Sequence, residues 1–463
     1  MIRPTAGKRA YVETYGCQMN ISDGELMEGL LAARGYEIVR TPEEADVVLV
    51  NTCAIREHAE TRVLGRVSQL NGLKRERPEM VIGVTGCMAQ RLGTSLLEQA
   101  PYVDLVMGPD GYRSLPESLD RIAERRASRP KGGGARLAVL ELDPAENYQG
   151  LEQLRSDGPV AWVPIQRGCD HRCTFCIVPY VRGPEKNRSA VEVVREVQGL
   201  AERGVTEVTL LGQTVNSYRF EDVSFPELLR RVSHVDGIRR VRFTSPHPND
   251  VTPELVEVMA EEPAVCEQLH LPAQSGSDRT LKRMLRRYDV ATLLEKIAMV
   301  RAAVPGVALS TDIIVAFPGE TDAEYRDTLA LMRTVRFDEA YTYKYSVRDG
   351  TPAARLPAAD FVDPEEAQAR LAELIEVSRG IQAEINAGEV GRIEEVLVEK
   401  PGRHAGQVIG RTRRNKVVAF DADASRVGSY THVELVHTTG ATFGGVEAAE
   451  AVGVVAADAA ASA

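Results

Sequence analysis

Cysteine is scarce in this chain. Seven among 463 residues is an odd and thinly spread set, which excludes a dense disulfide framework. Long apolar runs are missing too: no stretch approaches the ~20 consecutive apolar residues that cross a bilayer, so a spanning segment is not expected. Positive charge is in deficit. A net charge of −11 excludes coating of nucleic acid by an overall basic surface and leaves only local basic patches. The opening stretch "MIRPTAGKRAYVETYG" has no apolar run of signal-peptide type, so the expected setting is a reducing cytoplasm. Clustered thiols there indicate metal or catalysis rather than crosslinks. At roughly 150 residues per domain the length allows about three domains, each able to bury a core.

Three rhythms divide what is present. Residues 1–125 alternate β-branched runs ("RAYVETYG", "ADVVLVNTC", "EMVIGVTGC") with helical stretches, a pattern that predicts an α/β domain with a parallel sheet. Residues 126–157, opening on a basic, Gly-rich segment, read as a linker. From 158 to 385 six strand candidates separated by helical stretches predict a partial (β/α)6 barrel, whose active-site residues belong at strand C-termini. Residues 386–444 turn to short β-runs parted by Gly and Pro, the pattern of a small antiparallel β-barrel in the size range of RNA-binding folds. The Ala/Val/Gly-rich end, 445–463, reads as a disordered tail.

Six of the seven cysteines fall into two sets. Cys17, Cys53 and Cys87 are far apart in sequence, yet each directly follows a β-run and precedes a helix. In a parallel sheet such positions share one edge, the edge where open α/β sheets hold ligands, and helix N-termini there favour thiolates. Cys169, Cys173 and Cys176 form C-x3-C-x2-C directly after the first barrel strand. Zinc would need a fourth ligand, for which His58 and His171 are the nearby candidates. Iron–sulfur clusters favour thiolates, and three thiolates leave one iron open. The alternative for the first set is chance placement of buried thiols.

The C-x3-C-x2-C triad, with Phe175 before its last cysteine, resembles the loop of the radical S-adenosylmethionine enzymes. Together with "TYGCQMN", "VNTCAIREHA", "LLGQTVNSY", "FTSPHP", "LHLPAQSGSD", "DIIVAFPGET" and "YKYSVRDGTPAA", it makes residues 9–440 resemble the methylthiotransferases of that superfamily, most closely the branch acting on N6-dimethylallyladenosine in tRNA. Sister branches act on threonylcarbamoyl-adenosine in tRNA or on a ribosomal protein side chain; "NTCAIRE" and "FTSPHP" favour the first. The resemblance implies two 4Fe–4S clusters. Cys169, Cys173 and Cys176 would hold the one that reduces S-adenosylmethionine to a 5′-deoxyadenosyl radical, and Cys17, Cys53 and Cys87 an auxiliary one that supplies or carries sulfur. It implies removal of the C2 hydrogen of the modified adenine at tRNA position 37, sulfur insertion, and methyl transfer from a second S-adenosylmethionine. It also implies a tRNA anticodon stem-loop as partner, an electron donor such as flavodoxin or ferredoxin, a sulfur and cluster supply, and a terminal TRAM domain that holds tRNA. A non-catalytic iron–sulfur sensor that binds RNA is the competing class.

Further candidates sit at strand ends. Phe175, Gln213, Gln274, Ser275 and Asp312 could face S-adenosylmethionine, with a loop group satisfying backbone as the bland alternative. Ala316 stands where the family resemblance suggests Gly before "FPGE". His247 and His270 are equally readable as structural, and Cys266 as a buried thiol without metal. Arg182 and Arg188 could meet RNA phosphate or simply line a loop. Arg403, Arg411, Arg413, Arg414 and Lys416 form an acid-free run in the terminal barrel, expected to contact the RNA backbone, with a solvated strand face as the alternative.

Overall fold

The computed structural model describes residues 7–54, 57–128, 135–155 and 157–448. The N-terminal unit is a six-stranded, all-parallel sheet in the order β2-β1-β3-β4-β5-β6. Its strands are β1 (Arg9–Tyr15), β2 (Glu37–Ile38), β3 (Val47–Thr52), β4 (Val81–Gly86), β5 (Leu105–Met107) and β6 (Leu137–Val139). Every residue of β3 is buried, as a strand between two helix layers must be. Alternation distributes its side chains: Val47 and Leu49 pack with Leu26, Leu31 and Ile122, while Val48 and Val50 pack with Val63, Val67 and Met88 on the other face. The presumed linker is therefore partly sheet. Residues 137–139 form the edge strand β6, and Tyr148 packs into the same core.

Six parallel strands form the central unit: β7 (Val160–Pro164), β8 (Glu207–Leu211), β9 (Arg240–Phe243), β10 (Gln268–His270), β11 (Ala308–Val315) and β12 (Glu339–Lys344). They make two sheets, β9-β8-β7 and β10-β11-β12, joined by a parallel bridge between Val241 and Val265. Among the described residues β7 and β12 do not pair, so the barrel is open between them. Its outward side chains (Val163, Val208, Leu210, Val241, Leu269, Leu309, Ile313) bury against the surrounding helices. The intervening residues, Glu207, Thr209, Arg240, Arg242, His270 and Asp312 among them, belong to the opposite, inner face.

The C-terminal unit is a closed five-stranded barrel around Val396, Val398, Val408, Val418, Phe420, Val433, Leu435 and Phe443. It differs from the expectation in two ways. One of its pairings, Val417–Asp421 with Thr442–Glu447, is parallel. Its last strand also runs to Glu447, into the segment read as tail; the rest of that segment, from 449, lies outside the described residues.

This small barrel docks where the strands of the central unit begin. Arg240 donates to the carbonyl of Arg411 and to Glu395, and Arg242 donates to the carbonyls of Thr412 and Arg413 while paired with Glu207. Arg413 pairs with Glu267, Arg414 with Glu389 and Glu394, Lys416 with Asp338, and Arg411 with Glu399. Four of the five basic side chains expected to meet RNA are thus engaged by carboxylates of the same chain. Arg403 is the exposed member of that run.

Candidate metal and cofactor centre

At the other end of the strands, adjacency in the sheet brings the first thiols together. β1, β3 and β4 are neighbours, with Tyr15 opposite Thr52 and Thr52 opposite Gly86, so Cys17, Cys53 and Cys87 leave the sheet side by side. Gly86 makes the close turn possible: its φ is +92°, and a Cβ there would lie 2.5 Å from the Thr52 carbonyl oxygen. Two fully buried asparagines hold the loops. Asn51 donates to the Asn20 carbonyl at 2.7 Å, Asn20 donates to the Thr52 carbonyl at 3.2 Å, and the Asn20 Oδ1 accepts from the Cys17 backbone and thiol.

Cys169, Cys173 and Cys176 lie on the loop after β7. Gly168, at φ +77°, lets the loop pass the Pro184 carbonyl, which a Cβ would approach to 1.9 Å. Cys169 Sγ lies 3.2 Å from the Thr214 hydroxyl, and Arg286 donates to Cys173 Sγ at 3.5 Å. All six cysteines line one cavity of about 290 Å³. The sulfurs do not ionise equally: hydrogen bonding with Cys53, helped by the Arg182 charge, holds the Cys17 thiol down at about 6, whereas burial pushes Cys176 up to about 12 and raises Cys87 and Cys169. Metal binding here would have to displace protons, as thiolate sites do.

Phe175, Gln213, Gln274 and Asp312 line the same cavity. The Oε1 atoms of Gln213 and Gln274 are buried with no hydrogen-bond partner among the described residues, the arrangement expected of acceptors waiting for a polar ligand. Asp312 is steadied by His270, whose Nε2 lies 3.2 Å from it. Ser275 departs from the expectation. Fully buried, it turns to the Thr328 hydroxyl and the Ser277 backbone and has no place in the cavity lining. Ala316 adopts φ +57°, the conformation a glycine would take freely, and its N–H is held by Glu320 at 2.6 Å.

His171 stacks flat on His247 at 4.1 Å and faces Asp250 at 3.9 Å. His247 accepts from the Asn249 backbone; burial first, then the Arg286 charge, push its pKa down to about 2. The side chain of His58 lies outside the described residues, and Cys266 is buried and absent from the cavity lining. Arg182 and Arg188 are buried and paired, the first with Asp23 and Cys87, the second with Glu196, so neither presents a free surface to phosphate. Sequence reasoning missed Asn20, Asn51, Thr214 and Arg286. A polar Asn inside the apolar run "VVLVNTC" was the one available signal.

Comparison with known proteins matches this arrangement unit by unit. Residues 9–108 match the model described as Uncharacterized protein family UPF0004, 163–332 the Radical SAM superfamily, and 388–440 the TRAM domain. Among solved structures, the radical S-adenosylmethionine methyltransferase TsrM from Kitasatospora setae shares the fold at a TM-score of 0.55 and 15% identity, covering 75% of this chain and 77% of that one. The cobalamin-dependent radical enzyme OxsB does so at 0.52 and 11%, covering 81% and 56%. Cysteine loop, barrel and superfamily match together make this a radical S-adenosylmethionine protein, a class that employs S-adenosylmethionine and a 4Fe–4S cluster. Proteins named tRNA-2-methylthio-N(6)-dimethylallyladenosine synthase from Chloroherpeton thalassium (42% identity; 94% of this chain, 95% of that protein) and Prosthecochloris aestuarii (43%; 94% and 97%) align almost end to end. The chain belongs to that synthase family.

Proposed function

We propose that this protein methylthiolates C2 of N6-dimethylallyladenosine at position 37 of tRNA. The observation that carries the reading is the single cavity lined by both cysteine triads. Cys169, Cys173 and Cys176 would hold the cluster that binds S-adenosylmethionine, and Cys17, Cys53 and Cys87 a second, auxiliary 4Fe–4S cluster. When bound, these groups supply a radical able to take a hydrogen from an aromatic carbon that acid–base chemistry cannot activate, and the sulfur that replaces it. The chain's own residues position and shield. Gln213, Gln274 and Asp312 offer polar atoms to the cofactor, and Phe175 gives it an apolar wall. An unpaired anticodon-loop base can reach the cavity without breaking a duplex. Arg403 remains the candidate of the basic run for phosphate contact. Reduction would come from a protein such as flavodoxin or ferredoxin, cluster sulfur from a supply system, and the setting is the cytoplasm.

Mass spectrometry of tRNA nucleosides from a deletion strain tests the reading: the methylthio form of dimethylallyladenosine should vanish, and an unchanged level sinks it. Cys169→Ala should abolish S-adenosylmethionine cleavage, whereas Cys17→Ala should spare cleavage and stop sulfur insertion.

A further inference from the structure

Two arginines bracket the C-x3-C-x2-C loop. Arg167 stands two residues before Cys169, and Arg182 six residues after Cys176. Both reach out of the central unit to a single carboxylate of the N-terminal unit: Arg167 Nη1 donates to Asp23 Oδ1 at 2.6 Å, and Arg182 Nη2 donates to Asp23 Oδ2 at 2.7 Å. Asp23 lies on the helix Gln18–Ala33, which Cys17 opens as its N-cap. One carboxylate thus ties both ends of the second triad's loop to the helix that starts at the first triad. All three side chains are buried, Asp23 completely.

The contacts around this junction fix direction as well as distance. The Arg167 guanidinium lies over the Tyr148 ring at 4.6 Å, and Tyr148 packs in the N-terminal core. Arg182 Nε donates to Cys87 Sγ at 3.1 Å, so the same side chain also touches the first triad. Charge balances across the junction: the two guanidinium groups face the Asp23 carboxylate and the Cys17 sulfur, whose thiol is held down by its hydrogen bond with Cys53 and then by the Arg182 charge. Lys186, a little further along the chain, grips both oxygens of Asp110 in the N-terminal unit and latches the same segment a second time. Charge-assisted hydrogen bonds of this kind are short and directional, and a misplacement of about 1 Å between reacting groups can cost about a hundredfold in rate. Asp23 is absent from the cavity lining, so any effect it has on chemistry passes through the two arginines. We propose that Asp23 is a positioning residue that holds the two cysteine triads at a fixed separation across the junction of the two units. The proposal rests on the reading of both triads as cluster ligands.

The test compares the reconstituted full-length chain with its Asp23→Asn variant, on an anticodon stem-loop bearing dimethylallyladenosine. Iron content and 5′-deoxyadenosine formation should be retained, while methylthiolated nucleoside formed per 5′-deoxyadenosine should fall about tenfold or more. The electron paramagnetic resonance spectrum of the doubly reduced protein should also change, because the broadening that two nearby paramagnets impose on each other depends on their separation. Asp23→Asn leaves two buried cations facing the one remaining anion, so adding Arg167→Gln should restore at least half of the lost melting temperature of the metal-free chain, yet none of the product ratio. An unchanged ratio and spectrum in Asp23→Asn overturn the proposal. A ratio that recovers together with the melting temperature overturns it too, since Asp23 would then hold only the fold. Should Asp23→Asn take up less iron, Asp23→Glu, which keeps the charge and lengthens the reach by one carbon, decides it: a lowered ratio at full iron content supports the proposal, and an unaltered ratio overturns it. Absence of methylthiolated product from the fully loaded parent chain would instead remove the functional reading, and the proposal with it.

Discussion

Two glutamines of the cavity lining each bury an amide oxygen that no donor among the described residues satisfies. Burying such an acceptor costs about 1–3 kcal/mol, which a bound cofactor donor would return. Gln274→Ala should therefore raise the KM for S-adenosylmethionine about tenfold while leaving iron content unchanged, as read from 5′-deoxyadenosine formation. His247 has the opposite chemistry, held neutral by burial with its pKa pushed down to about 2. Below the ordinary value near 6.5 the unfolded chain takes up a proton that the folded one refuses, so stability falls as pH drops from about 6.5 toward 2. The slope approaches about 1.4 kcal/mol per pH unit. Thermal unfolding of the metal-free chain at pH 7 and 5.5 should show this loss, and His247→Gln should flatten it. The six cysteines were legible because they are rare and spaced. Thr214 and Arg286 were not, since their contacts with Cys169 and Cys173 arise from loops that meet only in three dimensions.

At the scale of elements, the docking of the small barrel depends on charges buried inside the larger one. Arg242 is enclosed, paired with Glu207 at 2.8 Å, and donates to two carbonyls of the 412–413 turn. Arg242→Ala leaves Glu207 only its longer pair with Arg240, at 3.7 Å, and frees those carbonyls, a loss of about 3 kcal/mol, the low end for a broken buried pair. A lowered melting temperature and faster proteolysis between the two units should follow. Five of the six barrel strands could be read from apolar positions because each places residues in the core; β12, with none buried, was readable only from its aromatic and β-branched run. β6 could not: three residues after a Gly-rich stretch show no period, and only pairing with β5 makes them a strand. The last strand of the small barrel was hidden for a related reason. "TFGGVE" carries one large apolar side chain, Phe443, and it is the one that closes the core.

For the whole molecule, the separation of charge and chemistry along the strands decides how RNA can approach. The small barrel docks at strand beginnings, and the cysteine cavity opens at strand ends. At about 3.3 Å per residue, β12 puts roughly 20 Å between them. β12 is also the free edge of the open barrel. Tyr341, 41% exposed, pairs in register with Asp312 of the cavity, and Tyr343 beyond it is 43% exposed. A chain with net charge −11, most of whose basic run is spent on internal carboxylates, should hold RNA through few phosphates. Affinity for an anticodon stem-loop, followed by fluorescence anisotropy between about 50 and 200 mM salt, should then show a shallow slope. Arg403→Ala should reduce that slope by about one. Arg413→Ala should leave the slope unchanged and lower thermal stability instead, because its guanidinium belongs to Glu267 and not to the RNA. A steep slope that Arg413→Ala flattens would mean the docked hairpin releases its carboxylates when RNA binds.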